Sequence, residues 1–231
     1  MQVYLIRHAQ SQNNALTENT AHRRKADPDL TELGYRQRDI LADFLASATD
    51  VMNERFKITH LYSSAMYRSL LTAQPLGAGL NLRPQVWPDL HEKGGLWQRR
   101  NGRTSGFNGM SRSSMQNEFP DFDLPDTITE TGWYDAELGI EPEAHSNFRA
   151  IKVAMALRER GQGDDVIALI SHAGFLDILL KAIFDQLPSR PNTWRYYHDN
   201  TAITRINYKG SRPILHYMNR AEHLSPDLRS F

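Results

Sequence analysis

The chain has 231 residues, 40% of them apolar and 23% charged, with 27 lysines and arginines against 27 aspartates and glutamates. That is an ordinary soluble globule long enough for a sizeable core, and its balanced charge gives no global field to recruit nucleic acid or an anionic membrane. It contains no cysteine, which excludes disulfides, thiolate zinc sites and a cysteine nucleophile.

Residues 3–6 form a short apolar run rich in β-branched and aromatic side chains, the pattern of a strand buried on both faces. The run stops at Arg7-His8. In an open α/β sheet, chemistry sits just beyond the carboxyl ends of the strands. Residues 10–28 are polar, and His22-Arg23-Arg24-Lys25 within them reads as a solvated segment. Thr31 is placed to cap a helix carrying Glu32 at its positive end and an apolar stripe of Leu33, Ile40, Leu41, Phe44 and Leu45. Residues 58–62 predict a second strand, and Ser63-Ser64 predict the cap of a helix over about 65–78 that carries Arg68. A third, short strand is expected over 85–90, ending at His91-Glu92.

Residues 93–137 hold no period of 2 or 3.6. Their glycines, Arg99, Arg100, Arg103 and scattered aromatics predict an inserted cap or binding loop. A helix follows over 143–160, with Phe148, Ile151, Met155 and Leu157 expected on its apolar side and Gly161 as its stop. Residues 166–170 are a fourth strand ending at Ser171-His172-Ala173-Gly174. Residues 175–184 read as a buried helix stopped before Pro188. Residues 201–206 and 213–217 look like a closing strand pair around Lys209-Gly210. The alternation predicts one α/β domain over 1–231 with a cap inserted at 93–137. Nothing reads as a signal peptide, and no stretch approaches the roughly 20 apolar residues that span a bilayer. A soluble, cytoplasmic protein is the expectation.

Arg7-His8, Ser63-Ser64 with Arg68, and Ser171-His172 thus fall at the ends of three separate strands. If those strands are parallel neighbours, two histidines and two arginines converge. Guanidinium groups bind phosphate oxygens bidentately, so such a pocket suits a phosphoryl group. At this point the chain resembles the histidine phosphatase superfamily, the phosphoglycerate mutase-like proteins. The matching residues are Leu5-Ile6-Arg7-His8-Ala9-Gln10-Ser11 with Asn14, Asp29-Leu30-Thr31-Glu32-Leu33-Gly34, Tyr62-Ser63-Ser64 through Arg68, Ile170-Ser171-His172-Ala173-Gly174, and Asn200-Thr201-Ala202. They run in the family's order over nearly the whole chain.

The resemblance implies a three-layer α/β/α sandwich with a mostly parallel sheet and an inserted cap. It implies an enzyme of histidine acid phosphatase type in which His8 is the nucleophile and forms a phosphohistidine. Arg7, Arg68 and His172 would clamp the phosphoryl oxygens with help from Asn14, and Glu92 would protonate the leaving oxygen. Ser171, Trp97 and Arg99 are further candidates for substrate contact. The partner would be a small phosphoester, with no cofactor and no metal, since the clamping groups replace the charge that Mg²⁺ supplies elsewhere. Two residues depart from the family pattern: Ala9 and Ala173 stand where glycine is usual. A neutral imidazole with an ordinary pKa of roughly 6.5 can attack phosphorus without a separate base. A mutase that returns the phosphoryl group to an organic acceptor, and a silent binder of phosphorylated ligands, are the alternatives. Asp121-Phe122-Asp123 follows Phe119-Pro120 in the insert rather than an apolar strand, so it does not read as an aspartate-nucleophile motif. No G-x-x-x-x-G-K-[ST] is present.

Overall fold

Strand β1 (Gln2–Arg7) turns Tyr4 and Ile6 to one hydrophobic cluster and Val3 and Leu5 to the other. All four side chains are fully buried. Two-sided burial of alternate residues is the geometry of a strand at the centre of a sandwich. The computed structural model describes residues 1–187 and 194–231; Pro188, expected to stop a helix, lies outside them.

The remaining strands are β2 (His60–Ser63), β3 (Gln85–Val86), β4 (Trp97–Arg100), β5 (Arg103–Gly106), β6 (Val166–Ser171), β7 (Ile203–Lys209) and β8 (Arg212–Arg220). Six of them form one sheet in the order β3-β2-β6-β1-β7-β8. The four from β3 to β1 run parallel, and β7 and β8 are added antiparallel. Helices α1 (Glu32–Ser47) and α2 (Tyr67–Leu80) cover the face bearing Tyr4 and Ile6. Helices α4 (Glu143–Arg160) and α5 (Ala173–Ile183) cover the other. The result is the expected three-layer sandwich with a mixed, mostly parallel sheet. No described helix is long and apolar enough to cross a membrane.

Several local expectations change. The third strand is two residues long; Pro88 instead opens a 3-10 turn, Pro88–Leu90, that leads to His91 and Glu92. Helix α2 begins at Tyr67, not near residue 65, with Met66 as its cap residue. Ser64 still accepts a bond from the Met66 N–H at 3.2 Å, before the helix proper. Pro75 lies inside α2 and cannot donate to the Leu71 carbonyl one turn back; Arg38 Nη1 donates to that carbonyl at 2.9 Å instead. Of the stripe expected on α4, Leu157 is buried while Phe148, Ile151 and Met155 are exposed. The buried face of the helix is Ala150, Val153, Ala154 and Leu157 with Ser146 and Arg149, while Phe148 and Met155 are 67% and 56% exposed. The mostly small apolar side chains of that face share a buried cluster with Phe175, Leu176, Leu179 and Leu180 of α5, and that packing, not side-chain bulk, sets the inward face.

Residues 93–137 are more regular than their composition predicts. β4 and β5 form a hairpin whose Asn101 and Gly102 both have positive φ, the dihedrals of a two-residue primed turn. A short helix α3 (Arg112–Glu118) follows, capped by the Ser111 hydroxyl. Met115, Phe119, Phe122 and Ile128 join the core beneath α1 and α2, while Leu96 and Tyr134 pack on Met66.

The loop after β1 is set by close approach to α1. Thr31 accepts a bond from the Gly34 N–H at 3.0 Å as the predicted cap, and its own N–H donates to the Gln10 carbonyl at 3.0 Å. A Cβ at Gly34 would collide with that same Gln10 oxygen. Gly34→Ala is therefore expected to push the loop off α1 and to destabilise the fold by about 1–3 kcal/mol, read as a lower thermal midpoint. An unchanged midpoint would mean the loop moves freely.

Candidate active site

Register places the strand ends side by side: Arg7 is opposite Ser171, and Ser63 is opposite Ile170 and Val86. Just past these carboxyl ends the His8 N–H donates to the Ser171 carbonyl at 2.9 Å. Beyond these ends lies a cavity of about 530 Å³ lined by Arg7, His8, Asn14, Arg24, Arg68 and Glu92, among others.

His8 is fixed from two directions. Its Nδ1 lies 2.7 Å from the Ala9 carbonyl, so this nitrogen carries the hydrogen. Arg68 Nε donates to the other nitrogen, Nε2, at 3.1 Å, so Nε2 holds a lone pair. Asn200 Nδ2 donates to the His8 carbonyl at 2.9 Å, and Thr72 Oγ1 accepts from the fully buried Ala9 N–H at 3.1 Å. Burial, and then the charges of Arg68 and Arg7, hold the imidazole well below its ordinary pKa. It is a neutral base pointed by its backbone.

The two guanidiniums are themselves buried. Arg7 Nη1 donates to the His198 carbonyl at 2.7 Å, and its face lies 4.5 Å from the Phe231 ring. Its Nε has no partner among the described residues. Burial brings its pKa down to about 10, against the pull of Glu92, so it remains a cation at neutral pH. Arg68 has Asp27 behind it, with Nη1 to Oδ1 at 3.8 Å, and Asp27 also accepts from the Tyr67 N–H at 3.0 Å. Burial raises the Asp27 carboxyl to about 6 despite Arg68. Asp27 carries no motif signal of its own; only the fold puts it against Arg68.

His172 is fully buried, with its ring centroid 5.0 Å from that of His8. Its Nε2 lies 2.8 Å from Ser64 Oγ and 3.2 Å from Ser69 Oγ. In the tautomer in which the nearer hydroxyl, that of Ser64, donates to the single Nε2 lone pair, Nδ1 carries the hydrogen, and Nδ1 has no partner among the described residues. Burial, then Arg68 and His8, lower its pKa far below the usual histidine value. Asn14 spends its Oδ1 on the Ser11 N–H and hydroxyl, at 3.0 and 2.8 Å, so its amide hydrogens remain for the cavity.

Glu92 is carried by the chain that follows the 3-10 turn Pro88–Leu90. Its Oε2 accepts from the Gly174 N–H at 3.2 Å, at the first turn of α5, and Oε1 from the Lys93 N–H at 2.8 Å. A Cβ at Gly174 would lie 2.6 Å from Oε1, so glycine is what permits the approach. The segment that delivers Glu92 is anchored carbonyl by carbonyl. Arg149 donates to the carbonyls of Asp89 and His91, and Ser171 Oγ to that of Leu90 at 2.7 Å. Arg149 in turn forms a bidentate pair with Glu141 at 2.7 and 2.6 Å. Although burial pushes the Glu141 carboxyl up, Arg149 and His91 bring it down to about 2.

The remaining expected contacts fall elsewhere. Ser171 is fully buried and committed to Leu90, and neither it nor His172, which sits behind the His8 ring, is among the residues lining the cavity. Arg99 is exposed on the hairpin and Trp97 is half-buried beneath Arg24; neither lines the cavity. Arg24, Lys93, Arg195 and Tyr197, which sequence reasoning passed over, do line it. Among the described residues no group of three or more histidine, aspartate or glutamate side chains could hold a metal ion.

A family model described as the histidine phosphatase superfamily (branch 1) matches residues 3–221. No curated protein matches the sequence significantly. Among solved structures, the chain resembles a phosphoserine phosphatase mutant from Entamoeba histolytica in complex with phosphoserine. The two are 16% identical over 97% of this chain and 99% of that one, with a TM-score of 0.60. A mycobacterial glucosyl-3-phosphoglycerate phosphatase with VO3 aligns at 18% identity over 95% and 99%, with a TM-score of 0.57. An ecdysone phosphate phosphatase from Bombix mori in complex with tungstate aligns at 15% identity over 95% and 93%, with a TM-score of 0.61. At these identities the likeness is one of fold.

The buried imidazoles have a measurable consequence for stability. Burial lowers the pKa of His8, His91 and His172, and brings His198 and His223 to about 4. In the unfolded chain each returns to roughly 6.5. The unfolded state thus binds more protons below pH 6.5, so stability is lost as pH falls from there toward 4. Asp27, raised to about 6, works in the opposite sense, as one group against five. The thermal midpoint, followed by circular dichroism, is expected to drop steadily from pH 7 to 5. Each histidine contributes on the order of 1 kcal/mol per pH unit. A midpoint that is flat or rises toward pH 5 would overturn the neutral-imidazole assignment.

Proposed function

The chain belongs to the histidine phosphatase superfamily, and from that premise we propose that it is a metal-independent phosphomonoester hydrolase working through a phosphohistidine on His8. The observation that carries the reading is the His8 imidazole. Its Nδ1 is tied to the Ala9 carbonyl, and its Nε2 lone pair lies at the floor of the cavity beside Arg68. An imidazole so held needs no separate base to attack.

In the first step His8 Nε2 attacks phosphorus and the phosphorus–oxygen bond to the alcohol breaks. Arg68 leaves Nε2 to meet the phosphoryl oxygens, joined by the free Nε of Arg7, Nδ1 of His172 and the Asn14 amide. These donors stabilise the charge that spreads over the equatorial oxygens. Glu92, in its protonated form, gives its proton to the departing oxygen. In the second step the Glu92 carboxylate takes a proton from water, whose oxygen attacks the phosphohistidine. Phosphate leaves, and His8 recovers its lone pair. Hydrolysis rather than transfer is favoured because the three similar structures are named as phosphatases. Loop 88–92 would serve as the mount for Glu92, and Ser171, Arg149 and Glu141 as positioning residues for that mount. A cytoplasmic, non-membrane setting completes the proposal.

The test is phosphate release in EDTA from p-nitrophenyl phosphate and a panel of sugar and acid phosphates. Release is expected to survive the chelator. His8→Ala is expected to lower kcat by a factor on the order of 10⁴ or more while inorganic phosphate still binds. Glu92→Gln should cost about 10² to 10⁴. Turnover by His8→Ala would sink the phosphohistidine route. Isomer conversion without release would make the protein a mutase, and binding with neither would make it a silent binder.

A further inference from the structure

The cavity carries more positive charge than a phosphoryl group needs. Arg24, Lys93 and Arg195 line it together with Arg7 and Arg68. Only Arg68, of the five, lies within ion-pair distance of a carboxylate among the described residues, that of Asp27. Asp177, also in the lining, is committed to Lys181 at 3.0 Å. With Glu92 protonated for its role as the acid, the five cations face the carboxylate of Asp27 alone, and a phosphoryl dianion still leaves positive charge unmatched.

Arg24 is built to meet that difference. His22, Arg23 and Lys25 around it are exposed, as a solvated run should be, but Arg24 is turned inward. Its guanidinium lies 4.7 Å from the Trp97 ring, and its Nε is buried with no partner among the described residues. Its backbone is held on both sides. Gln98 Nε2 donates to the Arg24 carbonyl at 2.8 Å, and Asn13 exchanges two bonds with the Lys25 backbone at 2.8 and 3.0 Å. Withdrawing a guanidinium from water without an acceptor is costly, and an arriving anion offsets that cost. A planar cation stacked on an indole also presents its edge for a two-pronged bond to a carboxylate.

We propose that Arg24, with Lys93 and Arg195 beside it, forms a subsite for a second, singly charged group, so that the substrate is a phosphomonoester that also bears a carboxylate. This rests on the phosphoryl site described above. A cavity of about 530 Å³ suits a small metabolite, and the rings of Tyr197 and Phe231 line the same space.

Calorimetric binding to the His8→Ala protein, which does not turn over, tests the subsite with size-matched pairs. These are phosphoglycolate against ethyl phosphate, and 6-phosphogluconate against glucose 6-phosphate. The carboxylated member of at least one pair is expected to bind tenfold or more tightly than its neutral partner. Adding Arg24→Gln should bring that preference within about threefold, Arg24→Lys should restore part of it, and Arg195→Gln on the exposed side should weaken it. Equal binding in both pairs, or a preference untouched by both glutamine variants, overturns the proposal. Phosphate release by the unmodified protein from p-nitrophenyl phosphate reads the hydrolase assignment separately. No release alongside an Arg24-dependent preference would end that assignment and leave the subsite standing.

Discussion

Two guanidiniums and two imidazoles occupy a space from which water is largely withdrawn, and the electrostatics of that crowding constrain the rest of the molecule. Arg7 and Arg68 can stay charged there only if each is partly compensated. Arg7 is compensated by the His198 carbonyl and the face of Phe231, and Arg68 by Asp27. The imidazoles cannot add further charge, so they are neutral. Neutral His8 keeps the Nε2 lone pair that the proposed mechanism uses, and neutral His172 adds no charge to repel its neighbours. The same desolvation therefore bears on both the proposed chemistry and the acid sensitivity of the fold.

Rigid supports deliver each wall of the cavity to this floor. The Glu141–Arg149 pair spans the start of α4 and grips the carbonyls of Asp89 and His91, while Ser171 grips that of Leu90 between them. On the other side, Asp177 accepts from the Tyr196 N–H at 2.9 Å, and Lys181 donates to the Trp194 carbonyl at 3.1 Å. That buried pair on α5 fixes the chain that carries Arg195, Tyr197 and His198. Buried ion pairs are weak sources of net stability, because desolvation offsets their attraction. Here both pairs serve geometry: each holds a backbone segment that brings a side chain to the cavity.

The floor of the site was legible in the sequence because its signals are local. Apolar runs ending at Arg7-His8 and Ser171-His172 announce strand ends, and Thr31 with Gly34 announces a helix start that the structure places as read. What failed depends on tertiary direction. The third strand shrank because Pro88 redirects the chain. On α4 only Leu157 of the expected stripe turns inward, because the face packed with α5 is built from Ala150, Val153 and Ala154 and not from the bulkier Phe148 and Met155. Ser171 resembles a substrate contact in its motif, yet its hydroxyl is used by Leu90. The hairpin β4–β5 did have a signal, the Asn101-Gly102 dipeptide, which the irregular composition around it obscured.

Arg24 and Arg99 show why the walls are harder to read than the floor. Both sit in basic, polar stretches without period, and composition makes Arg99 the better candidate because it lies in the glycine-rich insert. The fold reverses the choice. Strand β4 leaves Arg99 exposed, while Trp97, two residues earlier, serves as the platform for Arg24 from a loop more than seventy positions away. Whether a loop arginine faces solvent or substrate is thus decided by a contact between two segments that carry no mutual signature in one sequence. Chemistry held at strand ends is constrained by the sheet, and selectivity held on loops is constrained only by how those loops meet. A family can then retain one reaction while its walls change residue by residue, with little effect on the core beneath them.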